Sequence, residues 1–166
     1  MSKHAGSGQA NRKKVTVTVV EARNLRAADL NGKSDPYVKV YARREGTLKQ
    51  TSTKMKTLDP TWNEEFEYEV VDPLNDVIEL TVFDWDKGGS DDFLGECKVP
   101  VAAVSSSKVP FDTWVPLLDR NAPSQTQSKK DRGELHVKLV YTDQDGKRYD
   151  SAGVAGAAAA AVAPAA

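Results

Sequence analysis

The sequence predicts an all-β fold, an eight-stranded antiparallel β-sandwich. Two observations support this prediction. Eight short segments are rich in β-branched and aromatic residues, and turn-forming residues separate them. Apart from an ambiguous turn near residues 101–106, no segment shows a convincing helical period. The length of 166 residues is sufficient for one domain with a buried core.

Local patterns define the strands in order. The first strand, within KVTVTVVE, follows a polar segment over residues 1–13, which we expect to be a disordered arm. Pro36 follows the Asn31-Gly32 turn signal and leads into the second strand. The last strand, within ELHVKLVY, follows a polar linker over residues 121–132, which we expect to be a mobile loop. The predicted strands comprise residues 14–21, 37–42, 48–54, 64–71, 77–84, 93–99, 114–117 and 134–141.

These strands place one domain over residues 14–142, followed by an Ala-rich low-complexity tail over residues 143–166. Alanine favours helix, but so short a run is marginal in water. We expect the tail to be disordered, with a weak helix formed on a protein partner as the alternative. The segment DQDGK at its start lacks the spacing of an EF-hand loop, and we expect a turn there.

Composition narrows the functional class. The 23 basic and 24 acidic residues nearly cancel, so the overall charge gives no indication of a nucleic-acid partner. The single cysteine, Cys97, excludes an internal disulfide and fits a reducing compartment. The polar N-terminus does not resemble a signal peptide, and no apolar run approaches the roughly 20 residues that cross a bilayer. We therefore expect a cytoplasmic protein with only peripheral membrane contact.

The most informative segment is FDWDKGGSDDFLG, residues 83–95, which contains four aspartates around an apolar-free turn. Asp84 and Asp86 are two residues apart in a predicted strand and therefore project to the same side. Two neighbouring carboxylates repel each other, which a bound cation would relieve. For any single aspartate the simpler interpretation is a turn-forming residue.

A second acidic segment, DLNGKSD, weakens that simpler interpretation for the group. Asp29 and Asp35 lie at the two ends of its tight turn. If the two loops converge, five carboxylates (Asp29, Asp35, Asp84, Asp86 and Asp92) form an oxygen-only cage. Oxygen ligands from flexible loops favour Ca²⁺ over Mg²⁺, and the absence of nearby His or Cys argues against zinc and copper.

Three separated motifs, DLNGKSDPYVKV, TLDPTWNEEFEYEV and LTVFDWDKGGSDDFLGE, follow the order of a known family. Over roughly residues 14–142 the chain resembles the C2 domain, a calcium- and lipid-binding β-sandwich module with Greek-key topology. The strand order is similar to the permuted type II topology of that family. The resemblance implies that the five aspartates bind about two or three Ca²⁺ ions. It also implies main-chain ligands from Ala28, Trp85 and Ser90.

The resemblance further implies docking on anionic phospholipid membranes, with phosphatidylserine favoured because it offers carboxylate and phosphate oxygens. Large apolar residues are scarce at the loop tips, so we expect shallow electrostatic docking on the cytoplasmic face of membranes when calcium rises. For Trp85 we favour packing beneath its loop over contact with lipid. The candidate lipid contacts are Leu30, Asn31, Lys87, Gly88 and Gly89.

Some members of the family also bind phosphoinositides through a lysine-rich groove. Tyr37, Lys49 and Lys54 match that groove here, but two of its positions hold Gln50 and Ser52. A solvated strand face is therefore the favoured interpretation of this segment.

The main alternative function is a protein-interaction adaptor, calcium-gated or calcium-independent, that recruits a partner through the tail or the basic strand. The sequence does not indicate an enzyme. It contains neither G-x-S-x-G nor H-E-x-x-H, and Asp35-Pro36 after GKS is incompatible with the helix of a phosphate-binding loop.

Overall fold

The computed structural model describes residues 11–120 and 132–151. The expectations for most of the N-terminal arm, for nearly all of the linker and for the alanine run therefore lie outside the described residues. The elements, in chain order, are β1 (Lys14–Arg23), β2 (Pro36–Ala42), β3 (Thr47–Gln50), β4 (Thr61–Glu69), β5 (Val77–Asp84), β6 (Asp92–Pro100), α1 (Ala102–Ser105), β7 (Phe111–Pro116), β8 (Glu134–Thr142) and β9 (Arg148–Tyr149).

The strands form two sheets, and every pairing is antiparallel. The first sheet has the order β4-β1-β8-β7, and β9 also pairs with β8. The second sheet has the order β3-β2-β5-β6. The predicted all-β antiparallel sandwich is confirmed, whereas the permuted topology of the resembled family stays a prediction.

The core lies between the inner faces of the two sheets. Alternate residues of β1 (Val15, Val17 and Val19) and of β5 (Leu80 and Val82) are at most 1% exposed. Burying such side chains stabilises the fold by about 1.5–3 kcal/mol each. The intervening positions lie on the outer faces of the sheets, where most are half-buried, and this alternation gave the strands their sequence signature.

Polar groups and the cysteine in the core have clear roles. The hydroxyl of Tyr68 on β4 donates a 2.7 Å hydrogen bond to the Val40 carbonyl on β2 and so links the sheets. Trp62 is buried, as expected of a core tryptophan, and its indole donates to the Ser52 carbonyl. Cys97 is also buried, and burial raises the pKa of its thiol to about 12. Because the thiolate is the reactive form, Cys97 is a structural residue.

Several segments differ from the strand prediction, and among them β4 and β7 begin three residues earlier than expected, at Thr61 and Phe111. β3 ends at Gln50; beyond it the chain stays beside β2 through irregular bonds from the Thr51 amide to the Val38 carbonyl and from the Lys54 amide to the Pro36 carbonyl. The ambiguous segment near residue 101 forms a four-residue helix. The short β9 was not predicted, and its Tyr149 ring stacks on Tyr141, so regular structure continues past residue 142. In the parts of the chain that the structure describes, no helix is long and apolar enough to cross a membrane.

Strand register brings three loops to one end of the sandwich. We call residues 24–35 the first loop, residues 51–60 the second loop and residues 85–91 the third loop. Pro36 lies opposite Asp84, and Asp84 lies opposite Asp92, so the first and third loops leave the sheet side by side. The Leu25 amide donates to the Leu58 carbonyl, which fastens the second loop to the first.

Candidate metal centre

Three of the five predicted aspartates form a compact cluster at this end of the sandwich. Asp29, Asp35 and Asp84 each offer a carboxylate oxygen, and these oxygens lie within 4.8 Å of one another. Asp84 is 3% exposed, Asp35 is half-buried and Asp29 is exposed. The cluster therefore extends from a buried base to a solvent-exposed rim.

Asp84 forms the base because it ends β5, where inward positions are buried. Its Oδ1 accepts a 2.6 Å hydrogen bond from the Asp35 amide. Burial is the largest influence on its carboxyl group and raises its pKa. The bond from the Asp35 amide opposes this effect, while the charges of Asp29, Asp35 and Asp92 raise the pKa further. An ionised Asp84 is thus costly unless a cation lies beside it.

The second loop holds Asp35 in place. Its residue Lys56 has a φ of 54°, a left-handed conformation, and its amide donates a 2.6 Å hydrogen bond to Asp35 Oδ1. The Trp85 amide also donates to the Asp35 carbonyl, at 3.0 Å, which joins the first and third loops. This contribution of the second loop was not predictable from the sequence, because a backbone donor carries no side-chain signature. The positive φ at a lysine was not foreseeable from residue type either.

The other two predicted aspartates lie outside the three-carboxylate cluster. Asp92 is exposed and lies directly across from Asp84 in the β5–β6 pairing. Asp86 is exposed on the third loop, and its carboxylate packs so closely against Gly89 that a Cβ there would collide with it. Their role as ligands stays a prediction.

Asp91, next to Asp92, has a different environment. Its Oδ2 accepts a 2.5 Å hydrogen bond from the Tyr37 hydroxyl, and its Oδ1 accepts a 3.0 Å bond from the Asp86 amide. The bond from Tyr37 is the main cause that lowers the pKa of Asp91, and Lys39 contributes an attractive charge. Both carboxylate oxygens of Asp91 are therefore engaged by groups of the protein.

The first loop is fixed from within by Ser34. This residue is fully buried, accepts a hydrogen bond from the Ala28 amide and donates one to the Arg26 carbonyl. At the turn, Asn31 Oδ1 accepts from the Lys33 amide, and Gly32 has a φ of 75°. The main-chain ligands proposed for Ala28, Trp85 and Ser90 stay predictions, although all three residues lie on these loops.

The loop tips carry the candidate lipid contacts. Leu30 is fully exposed, and Lys87, Gly88 and Gly89 are exposed on the third loop. Trp85 is 40% exposed, so more than half of its surface is covered while the rest reaches solvent, and its packing beneath the loop stays a prediction. Trp85 directly follows Asp84, and alternation turns its side chain away from the core side of the sheet.

The structure does not bring together the three residues of the predicted phosphoinositide groove. Tyr37 is buried on the outer face of the second sheet, where its ring stacks on Phe83. Lys49 lies opposite the core residue Val40, and its ammonium donates to the Glu67 carbonyl of the first sheet. Lys54 is half-buried on the second loop. Lys49 shares the inner face of the sheet with its partner Val40, whereas Tyr37 lies on the outer face. The side chains of Lys49 and Tyr37 therefore point to opposite sides of the sheet.

Comparison with known proteins decides the family. The family model described as the C2 domain matches residues 13–117. The chain belongs to the C2 domain family. One relative, the C2 and GRAM domain-containing protein of Arabidopsis thaliana, is 40% identical over 134 residues, which cover 80% of this chain. This C2 chain spans 12% of the length of that relative.

Solved structures agree with the family assignment. A single C2 domain of plant Extended Synaptotagmin 1 matches with a TM-score of 0.67 and 31% identity, covering 79% of this chain and 95% of that domain. The calcium-bound pair of C2 domains of Extended-Synaptotagmin 2 matches with a TM-score of 0.64 and 27% identity, covering 79% of this chain and 46% of that chain.

Proposed function

We propose that this C2 domain binds calcium and then docks peripherally on anionic membranes. The observation that carries the proposal is the cluster of Asp29, Asp35 and Asp84, whose oxygens lie within 4.8 Å of one another around a buried base. Its donors are all oxygens on loops, which suits a large hard cation such as Ca²⁺. The related structure of Extended-Synaptotagmin 2, which is calcium-bound, supports the same interpretation.

In this proposal the five aspartates hold about two or three ions, together with main-chain carbonyls of the first and third loops. Asp84 and Asp35 are positioned beforehand by the hydrogen bonds from the Asp35 and Lys56 amides. Bound Ca²⁺ supplies positive charge and open coordination positions for head-group oxygens. The completed ligand set is Asp29, Asp35, Asp84, Asp86 and Asp92, with main-chain oxygens from Ala28, Trp85 and Ser90.

The charge of the loop end provides the switch. The negative charge of the five aspartates repels an anionic surface in the absence of calcium, whereas about two divalent ions nearly neutralise that charge and about three exceed it. Lipid and calcium then strengthen each other's binding by reciprocal linkage. Recruitment to the cytoplasmic face of membranes follows, because anionic lipids such as phosphatidylserine are concentrated there.

The exposed tips define the docking surface. Leu30 and Trp85 offer apolar contact, and Asn31 and Lys87 offer polar and cationic contact to head groups. One exposed leucine and one partly exposed tryptophan add little apolar area, so charge dominates the docking. We assign no chemical reaction to this domain.

Co-sedimentation with vesicles tests the proposal. Vesicles of phosphatidylcholine with or without phosphatidylserine are mixed with the protein, in calcium or in chelator. We expect binding only when both phosphatidylserine and calcium are present, and its loss in Asp84→Asn. The control Asp145→Asn removes one charge from an exposed turn at the opposite end of the sandwich and should bind normally. Binding to anionic vesicles that persists in chelator would overturn the proposal and favour the adaptor alternative.

A further inference from the structure

The adjacent aspartates Asp91 and Asp92, at the end of the third loop, have different neighbours. Asp92 starts β6 and lies opposite Asp84, which places it beside the three-carboxylate cluster. Asp91 instead reaches Tyr37, which lies 54 positions earlier in the chain on β2. Since successive side chains of an extended chain project to opposite sides, only one member of such a pair can face the cage. Asp91 is therefore available for another role.

The contacts of Asp91 indicate what that role is. One oxygen accepts from the Tyr37 hydroxyl, and the other accepts from the backbone amide of Asp86, a proposed ligand. A carboxylate has about four lone-pair sites, and on Asp91 one site of each oxygen already accepts a hydrogen bond from the protein. It can serve better as a connector than as a ligand.

The sheet side of this connection is buried and closely packed. Tyr37 is 4% exposed, and its ring stacks on Phe83 with centroids 5.9 Å apart and an interplanar angle of 24°. Phe83 in turn packs edge-on against Phe93 of β6. Lys39 places its ammonium 4.7 Å from the Phe83 ring, where its charge also attracts Asp91. The anchor thus belongs to β2, β5 and β6, while Asp86 belongs to the exposed loop.

We propose that Tyr37 and Asp91 form a latch that positions Asp86 for calcium, an inference that rests on the proposed function. Tyr37 and Asp91 are positioning residues and do not contact the ion. The latch fixes the backbone at Asp86 before calcium arrives, so less conformational freedom remains to be lost on binding. Gly89 completes the arrangement, because its missing side chain leaves room for the Asp86 carboxylate.

The variant Tyr37→Phe removes the hydroxyl and keeps the ring that stacks on Phe83. Loss of a hydrogen bond to a charged group should weaken calcium binding about tenfold, measured by calorimetry without lipid. The matched control is Tyr41→Phe, on the same strand and the same face, whose hydroxyl makes only a 3.5 Å contact with the Arg43 carbonyl. The control should bind calcium like the wild type.

Hydrogen exchange in chelator separates positioning from general weakening of the fold. We expect the Asp86 amide of Tyr37→Phe to exchange faster than in the wild type, while core amides of β5 and the melting temperature change no more than in Tyr41→Phe. Asp91→Asn provides a second variant and should act in the same direction, since an amide offers only one acceptor oxygen.

Two outcomes overturn the latch. Wild-type calcium affinity in Tyr37→Phe is one, and unchanged exchange at Asp86 is the other, even if affinity falls. A different result marks failure of the proposed function: calorimetry would then detect no calcium binding to either the wild type or Asp84→Asn. In that case Asp86 is not a calcium ligand, and the latch proposal fails with the proposed function. Hydrogen exchange in chelator would still show whether the Tyr37 hydroxyl holds the third loop in place.

Discussion

Asp84→Asn should stabilise the calcium-free domain and remove its response to calcium. The buried carboxylate repels the neighbouring carboxylates of Asp29 and Asp35, whose oxygens lie within 4.8 Å. At that distance two unit charges repel by about 1 kcal/mol in bulk water and about 3.5 kcal/mol at an effective dielectric constant of about 20. Asparagine has a similar shape, and its Oδ1 can still accept from the Asp35 amide.

The expected gain in the free energy of unfolding in chelator is about 1–3 kcal/mol, because Asp29 is exposed and part of its charge is screened. For a domain of this size, the gain corresponds to a rise in melting temperature of about 3–10 °C. With free calcium at 100 times its Kd, the wild type should gain about 2.7 kcal/mol per site, and Asp84→Asn should not. The order of stability of the two proteins therefore reverses between chelator and saturating calcium.

The pH dependence of this difference has a definite sign. The pKa of Asp84 is raised above its ordinary value of 3.8 in the folded state. At pH values between the unfolded and the folded pKa, the folded state therefore binds more protons than the unfolded state. The calcium-free wild type accordingly loses stability through Asp84 as the pH rises through the raised pKa. The advantage of Asp84→Asn should be small at acidic pH and largest at neutral pH.

Thermal and urea unfolding, each in chelator and in calcium, measure these differences. Asp145→Asn is the matched control, with one fewer charge at the other end of the sandwich and no expected change in calcium response. The reasoning is refuted if Asp84→Asn is less stable than the wild type in chelator at neutral pH. It is also refuted if the variant keeps the wild-type calcium increment.

Two further predictions concern other sites. Gly89→Ala should weaken calcium binding at least severalfold, because the new Cβ would displace the Asp86 carboxylate. The free energy of unfolding in chelator should change little, because the loop is exposed. Calorimetry measures the calcium affinity, and an unchanged affinity would contradict the contact between Gly89 and Asp86. Tyr68→Phe should destabilise the domain by about 1 kcal/mol, because the buried Val40 carbonyl loses its hydroxyl partner. Urea unfolding measures this loss, and calcium affinity should not change.

The sequence was sufficient to predict the fold and the base of the site. Alternation defined β1, β5 and β8 to within about two residues, because each strand has one buried and one solvated face. The turn signals around Asp29 and Asp35 showed that these carboxylates flank one loop. The convergence of that loop with Asp84 depends on the pairing of Pro36 with Asp84, a long-range register that only the folded chain reveals.

The features that sequence could not predict depend on backbone groups and distant partners. The amide of Lys56 holds Asp35, yet every residue except proline has an amide donor, so residue type gives no signal. Tyr37 matched a groove position, but the fold buries it and directs its hydroxyl to Asp91. That contact spans 54 positions, far beyond any local period.

The partners of the acidic residues explain why the loop end is suited to an external cation. Elsewhere acidic side chains form ion pairs, such as Asp76 with Arg44, Glu79 with Arg43 and Asp119 with Arg132. Across residues 11–120 and 132–151, no side-chain nitrogen of lysine or arginine lies within 4.0 Å of a carboxylate oxygen of the five cage aspartates: Asp29, Asp35, Asp84, Asp86 and Asp92.

Backbone amides support these carboxylates instead. An amide donor favours an ionised oxygen but leaves its net charge in place, whereas an ammonium group would cancel that charge and compete with an incoming ion. The bonds from Asp35 to Asp84 and from Lys56 to Asp35 thus hold the like charges together without neutralising them. The carboxylate repulsion destabilises the calcium-free fold. A divalent cation that binds at the cluster removes this repulsion, and the free energy released adds to its binding affinity.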